Sequence, residues 1–445
     1  MDEASCQPLD PPCEALQVKG DVDHGTLASH LMTVKTFKTM MDTEEVYYYN
    51  DGLYRPNGER IISDLVEKIK RPCTTAYKNE VLSHIQDRTH TERSLFDQDP
   101  SLLTLENGIL DVETMQLNDF NTNYLSLTRL PLVFDKEAKC PNIMKFISEI
   151  VKLEDQTKLY EIIGYCLENS YFIHKAFMLV GSGFNGKTTF LDLLIAFLGK
   201  ENVSNVPLQE LEERFSMVQL YGKKANIYND ISSKALRETG NFKGLCGQDR
   251  MMAEKKFRDP FYFFNTAKLI FSCNTMPKTR DTTDAFFGRW EIIPFINVFD
   301  GKNPNTDKNL TEKLTTQEEL SGLLNIALKS LADLKKNKDF TNSLYSEDMR
   351  IYYQKLSNPV FAFIEDECTL DSESAITKAD LYSAFVKYAD LKKLGKVSLT
   401  AFSLDMKAQG LKDYRGSDEK RTSYWHGIRL TTDQEREEKT LDEFV

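Results

Sequence analysis

A glycine-rich segment at residues 181–189, GSGFNGKTT, has residue types at a spacing that suits phosphate binding. It matches the pattern GxxxxGK[ST], with Gly181 and Gly186 as the two fixed glycines and Lys187 and Thr188 after them. Glycines let backbone N–H groups point at phosphates, the lysine reaches the β and γ phosphates, and the threonine hydroxyl ligates Mg²⁺. We therefore predict that ATP and Mg²⁺ bind a loop formed by Gly181, Ser182, Gly183, Phe184, Asn185, Gly186, Lys187, Thr188 and Thr189.

Two further polar residues could complete a site for Mg²⁺ and ATP. Asp230 ends the segment KKANIYND, where it could hold the metal together with Thr188 and polarise the attacking water. Asn274 follows the apolar run AKLIFSC, where it could bond the γ-phosphate or that water. Each has a plainer interpretation, because acids and asparagines are common in surface turns. Together with Lys187 we predict them to be catalytic.

Arg289 is the fourth predicted catalytic residue. It lies in DTTDAFFGRWEIIPF, between a helical aromatic patch and a strand-like run. An arginine in this place can neutralise charge in the site of a neighbouring subunit as the γ-phosphate leaves. The alternative is a surface arginine held in an ion pair, and Arg280 is a second candidate for the same role.

A cluster of cations with aromatic neighbours lies in GQDRMMAEKKFRDPFYFF, within a chain whose net charge is −12. This mixture suits single-stranded DNA, because phosphates attract cations and bases stack on aromatic rings. The alternative is a solvated charged turn with core aromatics behind it. We predict that the basic residues of this segment bind DNA: Arg250, Lys255, Lys256 and Arg258.

The segments that carry these residues predict a multidomain α/β and α+β protein. The apolar strand AFMLV at 176–180 leads into the loop, FLDLLIAFLG continues it as a helix, and strands and helices alternate to about residue 298. This pattern predicts a central P-loop ATPase domain with a parallel sheet. The predicted units are a flexible leader (1–44), an N-terminal, mostly helical α+β domain (45–150), the ATPase domain (151–300), a helical connector (301–354) and a winged-helix-like C-terminal domain with an acidic tail (355–445).

Composition limits the class of protein. Hydrophobic residues make up 41% and charged residues 28% of 445 positions, which predicts a folded chain of several domains. The net negative charge disfavours a protein coated in nucleic acid but is compatible with a basic channel. The eight cysteines form no CxxC pair, so we predict reduced thiols. With no membrane-length apolar segment and no signal-peptide pattern, we predict a cytoplasmic protein without a membrane partner.

The DxD pair in DVDHG at residues 21–25 would suit a metal-dependent polymerase or primase. No hydrophobic strand leads into it, so we assign it no catalytic role. His84 and His90 have no evident metal partners and are predicted to be surface residues.

The ordered segments GSGFNGKTT, YND, GQDRMMAEKKFRDPF, FSCNTMPKTRD and FFGRW resemble the superfamily 3 helicases. More narrowly, they resemble the helicase part of phage, plasmid and poxvirus primase-helicases. LENGILDVET, PLVFDKEAKCPN and IIGYCLEN are similar to the domain that precedes the motor in that group, and residues 355–430 are similar to its winged helix. The resemblance extends over most of the chain from about residue 45 and implies an AAA+ ATPase.

This resemblance also implies roles for single residues. Lys187 and Thr188 would bind phosphate and Mg²⁺, Asp230 the metal and water, and Asn274 would be the sensor. Arg289 would act in trans, and Lys255 and Lys256 would lie on a β-hairpin that grips single-stranded or forked DNA inside a homo-oligomeric ring, usually a hexamer. Asn229 stands where many relatives have an acid, which leaves the catalytic base open. The chain lacks room for the primase domain that often precedes this helicase, so either a separate primase or polymerase is a partner or the chain is a fragment.

Three functions follow from these patterns. The first is a DNA replication helicase of a virus, plasmid or integrated element. The second is a DNA-binding assembly factor or initiator that uses ATP to hold its oligomer, which the single acid at Asp230 favours. The third is a small-molecule kinase, which would need neither the basic hairpin nor the arginine.

Overall fold

A small four-stranded sheet with three helices opens the computed structural model, which describes residues 22–299, 309–392, 394, 396–416, 421–432 and 435. The elements are α1 (His24–Val34), β1 (Phe37–Met40), β2 (Val46–Asn50), β3 (Leu53–Arg55), α2 (Gly58–Ile69), α3 (Thr75–Thr89) and β4 (His90–Thr91). The strand order is β3-β2-β1-β4, with β1 antiparallel to β2 and parallel to β4. A tight turn at Asp51 and Gly52, both at positive φ, joins β2 to β3.

Helix α1 corrects the prediction of a flexible leader at residues 1–44. Leu27, Ala28 and Leu31 on one face of α1 are buried in a core shared with α2 and α3. Asp23 accepts the backbone N–H of Thr26 over 3.0 Å and so caps the helix, which gives this carboxylate of DVDHG a structural role. Residues 1–21 of the predicted leader lie outside the described part of the chain.

A three-stranded antiparallel meander and two helices lead to the central domain. They are β5 (Leu102–Leu105), β6 (Gly108–Asp111), β7 (Gln116–Asn118), α4 (Pro141–Ile150) and α5 (Leu153–Tyr165). Pro141 occupies the first turn of α4, where its missing N–H leaves no intrahelical bond unmade.

The central domain contains the parallel sheet that the sequence predicts. Its elements are β8 (Ala176–Val180), α6 (Lys187–Leu198), β9 (Val203–Ser204), β10 (Ala225–Tyr228), α7 (Gly240–Cys246), β11 (Arg250–Ala253), β12 (Phe261–Phe264), β13 (Lys268–Cys273), α8 (Asp284–Phe287) and β14 (Trp290–Pro294). Five strands pair in the order β14-β8-β13-β10-β9, and every pairing is parallel. Strands β8 and β13 are buried along their whole length, as expected for a sheet covered on both faces. Strands β11 and β12 form a separate antiparallel hairpin.

One hydrophobic core crosses the predicted domain boundaries at residues 150 and 300. Helices α9 (Leu310–Leu314), α10 (Gln317–Asn337) and α11 (Ser346–Ser357) bury apolar residues in the same core as β8 and α4, so the predicted connector is part of the central domain. The carboxylate of Glu319 on α10 accepts the backbone N–H groups of Asn142 and Ile143 at the start of α4. Such a contact satisfies amides that a helix terminus leaves free. Residues 300–308 lie outside the description.

The C-terminal module has a core of its own. It consists of α12 (Pro359–Glu367), β15 (Cys368–Thr377), α13 (Lys378–Leu391), α14 (Leu399–Ala408), β16 (Lys412–Arg415) and β17 (Ser423–Leu430), with an antiparallel sheet in the order β15-β17-β16. The segment SYWHGIRL forms one strand, β17, which pairs with both β15 and β16. Residues 436–445 of the predicted acidic tail lie outside the described chain.

Candidate functional site

The glycine-rich loop connects the carboxyl end of β8 to the start of α6. Gly183 and Gly186 have φ values of 100° and 85°, which side chains with a Cβ rarely adopt. A Cβ on Gly186 would lie 2.6 Å from the Cγ2 atom of Ile150, whereas one on Gly183 would meet no atom within 4 Å. The loop is therefore closed on its α4 side and open at Gly183. Ser182, Phe184 and Thr188 are exposed, while Thr189 lies in the first turn of α6.

Asn185 holds the loop against the sheet. Its side chain is buried, and its Nδ2 donates to the backbone oxygen of Phe295 over 3.1 Å. Gly181 must lack a side chain for this contact to form, because a Cβ there would lie 1.9 Å from Nδ2 of Asn185 and 2.6 Å from the Phe295 oxygen. Asn185 is thus a structural member of the predicted nucleotide-binding set.

Lys187 contacts Asn274, another of the predicted catalytic residues. Its Nζ donates to the backbone oxygen of Gly181 over 2.6 Å, to Oδ1 of Asn185 over 3.1 Å and to Oδ1 of Asn274 over 3.4 Å. The contact with Asn274 arises because β13 lies beside β8 and both strands end at the same edge. Burial lowers the pKa of Lys187, and the nearby Cys273 and Asp230 oppose this effect. The lysine is therefore held in place by neutral oxygens.

Asn229 contacts the predicted Mg²⁺ ligand. Its Nδ2 donates to the Thr188 hydroxyl over 3.1 Å, and its Oδ1 accepts the Ser272 hydroxyl over 2.6 Å. The same Ser272 oxygen accepts the backbone N–H of Asp230 over 2.9 Å. Asp230 is exposed and has a φ of 56°. Ser272 on β13 thus sets the orientation of both residues at the end of β10.

These residues fit a nucleotide with Mg²⁺. The Thr188 hydroxyl and the Asp230 carboxylate offer oxygen ligands, which Mg²⁺ prefers, and the Asn229 amide donates to that hydroxyl. The loop at Gly183 leaves open space beside the N-terminus of α6, where an anion is favoured. Among the described residues there is no group of three or more His, Cys, Asp or Glu side chains that could hold a metal ion without further ligands.

Arg289 lies at the opposite end of the sheet from the loop. Its backbone oxygen accepts the N–H of Ala176 over 2.6 Å, at the start of β8, whereas the loop follows Val180. Five strand residues separate the two ends by roughly 16 Å. The guanidinium donates to the backbone oxygens of Lys243 over 3.1 Å and Ala285 over 2.6 Å. The structure therefore does not bring Arg289 to the nucleotide site of its own chain.

The β11–β12 hairpin has one buried and one exposed face. Phe261 and Phe263 are buried, whereas Tyr262 and Phe264 alternate with them and are 49% and 62% exposed. Met252 lies opposite Tyr262, on the exposed face. The alternation of side chains along β12 thus places two of the aromatic residues in the core and two on the exposed face.

The four predicted DNA-binding cations differ in their surroundings. Arg250 stacks on the ring of Tyr262 at 4.4 Å and is exposed, and Lys256 lies 5.7 Å from the ring of Phe215. Arg258 is exposed near the hairpin tip beside Phe257, whose ring is fully exposed. Lys255 instead donates to Oε1 of Glu45 over 2.7 Å, so it is paired with the N-terminal module.

Three site residues escaped prediction. Ser272 carried a signal, since it is a polar residue inside the otherwise apolar run KLIFSC. The one sequence signal for Asn229 was that it stands where many members of the resembled family have an acidic residue. Glu45 has no local signal, because it meets Lys255 across 210 positions of sequence.

Comparison with known proteins gives two family matches. Residues 24–152 match the family described as D5 N terminal like, and residues 179–289 match a family of unknown function, DUF5906. The second match includes the loop, Asn229, Asp230, the hairpin, Asn274 and Arg289.

Two curated relatives carry the name "Putative helicase". That of Acanthamoeba polyphaga mimivirus is 22% identical over 369 residues, covering 75% of this chain and 38% of the relative. That of Invertebrate iridescent virus 3 is 22% identical over 357 residues, covering 71% of this chain and 37% of the relative. The chain thus spans less than two fifths of the length of these relatives. The similarities relate it to viral proteins of the helicase type.

A solved structure shares the fold. The apo structure of the NrS-1 C-terminal region matches with a TM-score of 0.50 at 14% identity, covering 91% of this chain and all of that one. Among the described helices none combines the length and apolar character needed to cross a membrane. The six cysteines within the described ranges are free thiols, in agreement with the sequence-based prediction.

Proposed function

We propose that this chain is an ATP-dependent DNA helicase of superfamily 3, acting in the replication of a virus or another mobile element. The observation that supports it best is the meeting of Lys187, Asn274 and the Asn229–Thr188 pair at one edge of a parallel sheet. A phosphate loop with a sensor-type polar residue on the adjacent strand is the arrangement that phosphoryl transfer requires. The strand order, with β8 between β14 and β13, agrees with an AAA+ core.

The nucleotide would be held by this chain's own residues in defined ways. The loop 181–186 and the start of α6 would take the phosphates, with Lys187 against the β and γ groups. Thr188 and Asp230 would hold Mg²⁺ and its water molecules, with Asn229 donating to the Thr188 hydroxyl. The bound ion would supply charge neutralisation at the leaving phosphate. Asn274 would orient the γ-phosphate by donating its side-chain Nδ2 to a phosphate oxygen, while its Oδ1 accepts from Lys187.

A ring of several copies is part of this proposal. The position of Arg289 at the far end of the sheet supports a role in a neighbouring copy, because its own loop is roughly 16 Å away. The hairpin supports single-stranded or forked DNA as the substrate, since exposed cations stand beside exposed rings. We propose a hexamer in which the hairpins face a central channel and the C-terminal module is a winged helix.

A second function has one observation in its favour. The residue that faces the Thr188 hydroxyl is the neutral Asn229, so the site presents one fewer negative charge to the metal than an acidic pair would. A chain that binds ATP tightly and turns it over very slowly could use the nucleotide to assemble on DNA. Such a protein would be an initiator or assembly factor with little unwinding activity.

The deciding experiment measures ATP hydrolysis with and without single-stranded DNA, and unwinding of a forked duplex. We expect DNA to stimulate the wild type, Lys187→Ala and Arg289→Ala to lose turnover, and Lys256→Ala to lose mainly the stimulation. Lys329→Ala, on an exposed position of α10, is the matched control and should behave as wild type. Negligible turnover and no unwinding, together with ATP-dependent assembly on DNA, would favour the second function.

A further inference from the structure

A groove in the C-terminal module lies between α13, α14 and the ends of two strands. It has a volume of about 1070 Å³ and is open to solvent on one side. Its apolar part is formed by Ala379, Tyr382 and Val386 from α13 and by Leu399 and Leu404 from α14.

Both helices present a regular stripe to this groove. Ala379, Tyr382, Ser383 and Val386 recur at helical spacing, on a different face of α13 from the core residues Leu381 and Phe385. On α14, Thr400, Ser403, Leu404 and Lys407 recur in the same way, while Phe402 and Met406 face the core. Leu404 is 65% exposed and Leu399 is 50% exposed. Two helices thus expose apolar side chains that no described residue covers.

The charged residues at the groove indicate which kind of ligand would bind there. Lys378, Lys387 and Lys407 are among its lining residues, and no acidic residue lines it within the part of the chain that the structure describes. Lys378 and Lys407 are already paired with Asp413 on β16, whereas Lys387 is exposed. Apolar side chains between lysines fit a segment that carries apolar anchors and carboxylates. DNA fits less well, because the side chains of Leu399 and Leu404 form hydrogen bonds with neither phosphates nor base edges.

We propose that the groove binds residues 436–445 of the same chain. This segment, REEKTLDEFV, has four carboxylate side chains and two cations, with Leu441, Phe444 and Val445 as apolar anchors. Its acidic excess complements the positive charge of the groove, where Lys387 is exposed and Lys378 and Lys407 share the single carboxylate of Asp413. The proposal is independent of the function proposed above, since it involves neither the nucleotide site nor the hairpin.

The segment is long enough to reach the groove. Glu435 is held by Arg429 of β17, so the segment departs near the Leu430 end of that strand. The groove lies at the Ser423 end, which strand geometry places roughly 20 Å from Arg429. Six residues separate Glu435 from Leu441 and can span about 20 Å, and the nine to Phe444 can span about 30 Å. A tether this short gives a high effective concentration at the groove and favours binding within one chain.

The test uses the full chain and a fluorescently labelled peptide of sequence REEKTLDEFV, with binding followed by anisotropy. In the wild type the chain's own segment should compete with the peptide. The variant Leu441→Ser/Phe444→Ser keeps every charge but removes two anchors, so it should bind the peptide at least about tenfold more tightly than wild type. Adding Leu404→Asp to that variant should weaken peptide binding at least about tenfold.

Controls separate this site from general effects. Leu153→Asp in the same double variant changes another exposed leucine, the first residue of α5, and should leave peptide affinity unchanged. A scrambled peptide should bind weakly. The proposal is overturned if the peptide binds neither chain, if it binds wild type and the double variant equally, or if Leu404→Asp has no effect.

Two further results would identify a different occupant of the groove. If competition with the peptide increases with protein concentration, the segment binds the groove of a second copy. If DNA displaces the peptide and this displacement depends on Leu404, the groove binds DNA. Both results reject binding within one chain.

Discussion

Asn229 donates its side-chain amide to the hydroxyl of Thr188 over 3.1 Å, and this contact joins the end of β10 to the first turn of α6. The amide cannot rotate freely, because its oxygen accepts the Ser272 hydroxyl over 2.6 Å. A neutral group therefore contacts the predicted Mg²⁺ ligand Thr188, and the neighbouring carboxylate is that of Asp230, the next residue in the chain.

Replacing Asn229 by aspartate should strengthen metal binding. A carboxylate is a better ligand for Mg²⁺ than an amide, so Asn229→Asp should lower the Mg²⁺ concentration for half-maximal ATP binding, by about three- to tenfold. Titration of fluorescent-nucleotide binding with Mg²⁺ measures this. Ser272→Ala is the companion variant and should raise the Mg²⁺ requirement, because it frees both Asn229 and the Asp230 backbone. Identical Mg²⁺ curves for all three proteins would show that Asn229 does not face the metal.

Gly181 should not tolerate even a methyl group. An alanine Cβ there would displace Asn185, which accepts from Lys187 and donates to the Phe295 oxygen. We expect Gly181→Ala to weaken ATP binding by about tenfold or more while leaving the protein folded, as measured by nucleotide titration and circular dichroism. Gly240→Ala is the control, since a Cβ at Gly240 would meet no atom within 4 Å. Equal nucleotide affinity in the two variants would contradict this account of the loop.

Much of the central site could be predicted from the sequence because its signals are local. The loop pattern, the apolar strand before it and the run ending at Asn274 each occupy a few consecutive residues, and parallel pairing brings their ends to one edge. The core boundaries could not be predicted, since α10 packs on α5 through contacts across more than 150 positions. The β15 strand was missed because its burial pattern is irregular, and a register shift between Leu370 and Ala375 breaks the alternation.

Arg289 should act on the nucleotide of a neighbouring copy. Its distance from its own loop predicts that Lys187→Ala and Arg289→Ala are each inactive alone but complement each other when mixed, because some interfaces then pair an intact loop with an intact arginine. We expect a mixture to recover about a quarter of the wild-type turnover if the copies assemble at random, since each partner is intact at half of the positions. ATP hydrolysis of mixtures at several ratios measures this. Mixtures that stay as inactive as the single variants would remove Arg289 from the nucleotide site.

Glu45 should restrain the hairpin in the absence of DNA. It holds the Lys255 ammonium at 2.7 Å, and its second oxygen is buried without a hydrogen-bond partner among the described residues. Glu45→Gln removes the charge with little change in shape, so Lys255 becomes available to a phosphate. We expect tighter binding to single-stranded DNA, by about two- to fivefold, and a salt dependence steeper by about 0.7 in log–log slope.

The neighbouring acid provides the control for this prediction. Glu44 pairs with His90, away from the hairpin, so Glu44→Gln should leave DNA binding unchanged. Combining Glu45→Gln with Lys255→Ala should cancel the gain. If Glu45→Gln alone leaves both affinity and salt slope unaltered, Lys255 does not contact phosphate.

Lys268 is a fully buried cation at the start of β13. Its Nζ donates to the backbone oxygens of Glu168 and Thr266, each over 2.8 Å, and lies 4.6 Å from the ring centre of Tyr165. Burial lowers the pKa of Lys268 to about 7, although Cys166 and Glu168 act in the opposite direction. The ammonium is therefore disfavoured in the folded protein relative to the unfolded chain.

Stability should accordingly rise with pH above neutrality. An unfolded lysine has a pKa of about 10.4, so between pH of about 7 and 10 the unfolded chain binds a proton that the folded chain does not. The free energy of unfolding should then increase by up to about 1.4 kcal/mol per pH unit relative to Lys268→Met, which fills the same space without a charge. Thermal unfolding of both proteins from pH 7 to 9 measures this. As the pH rises, the melting temperature of the wild type should increase relative to that of the variant. Parallel curves would mean that Lys268 keeps its proton in the folded state, with the backbone oxygens of Glu168 and Thr266 compensating for its burial.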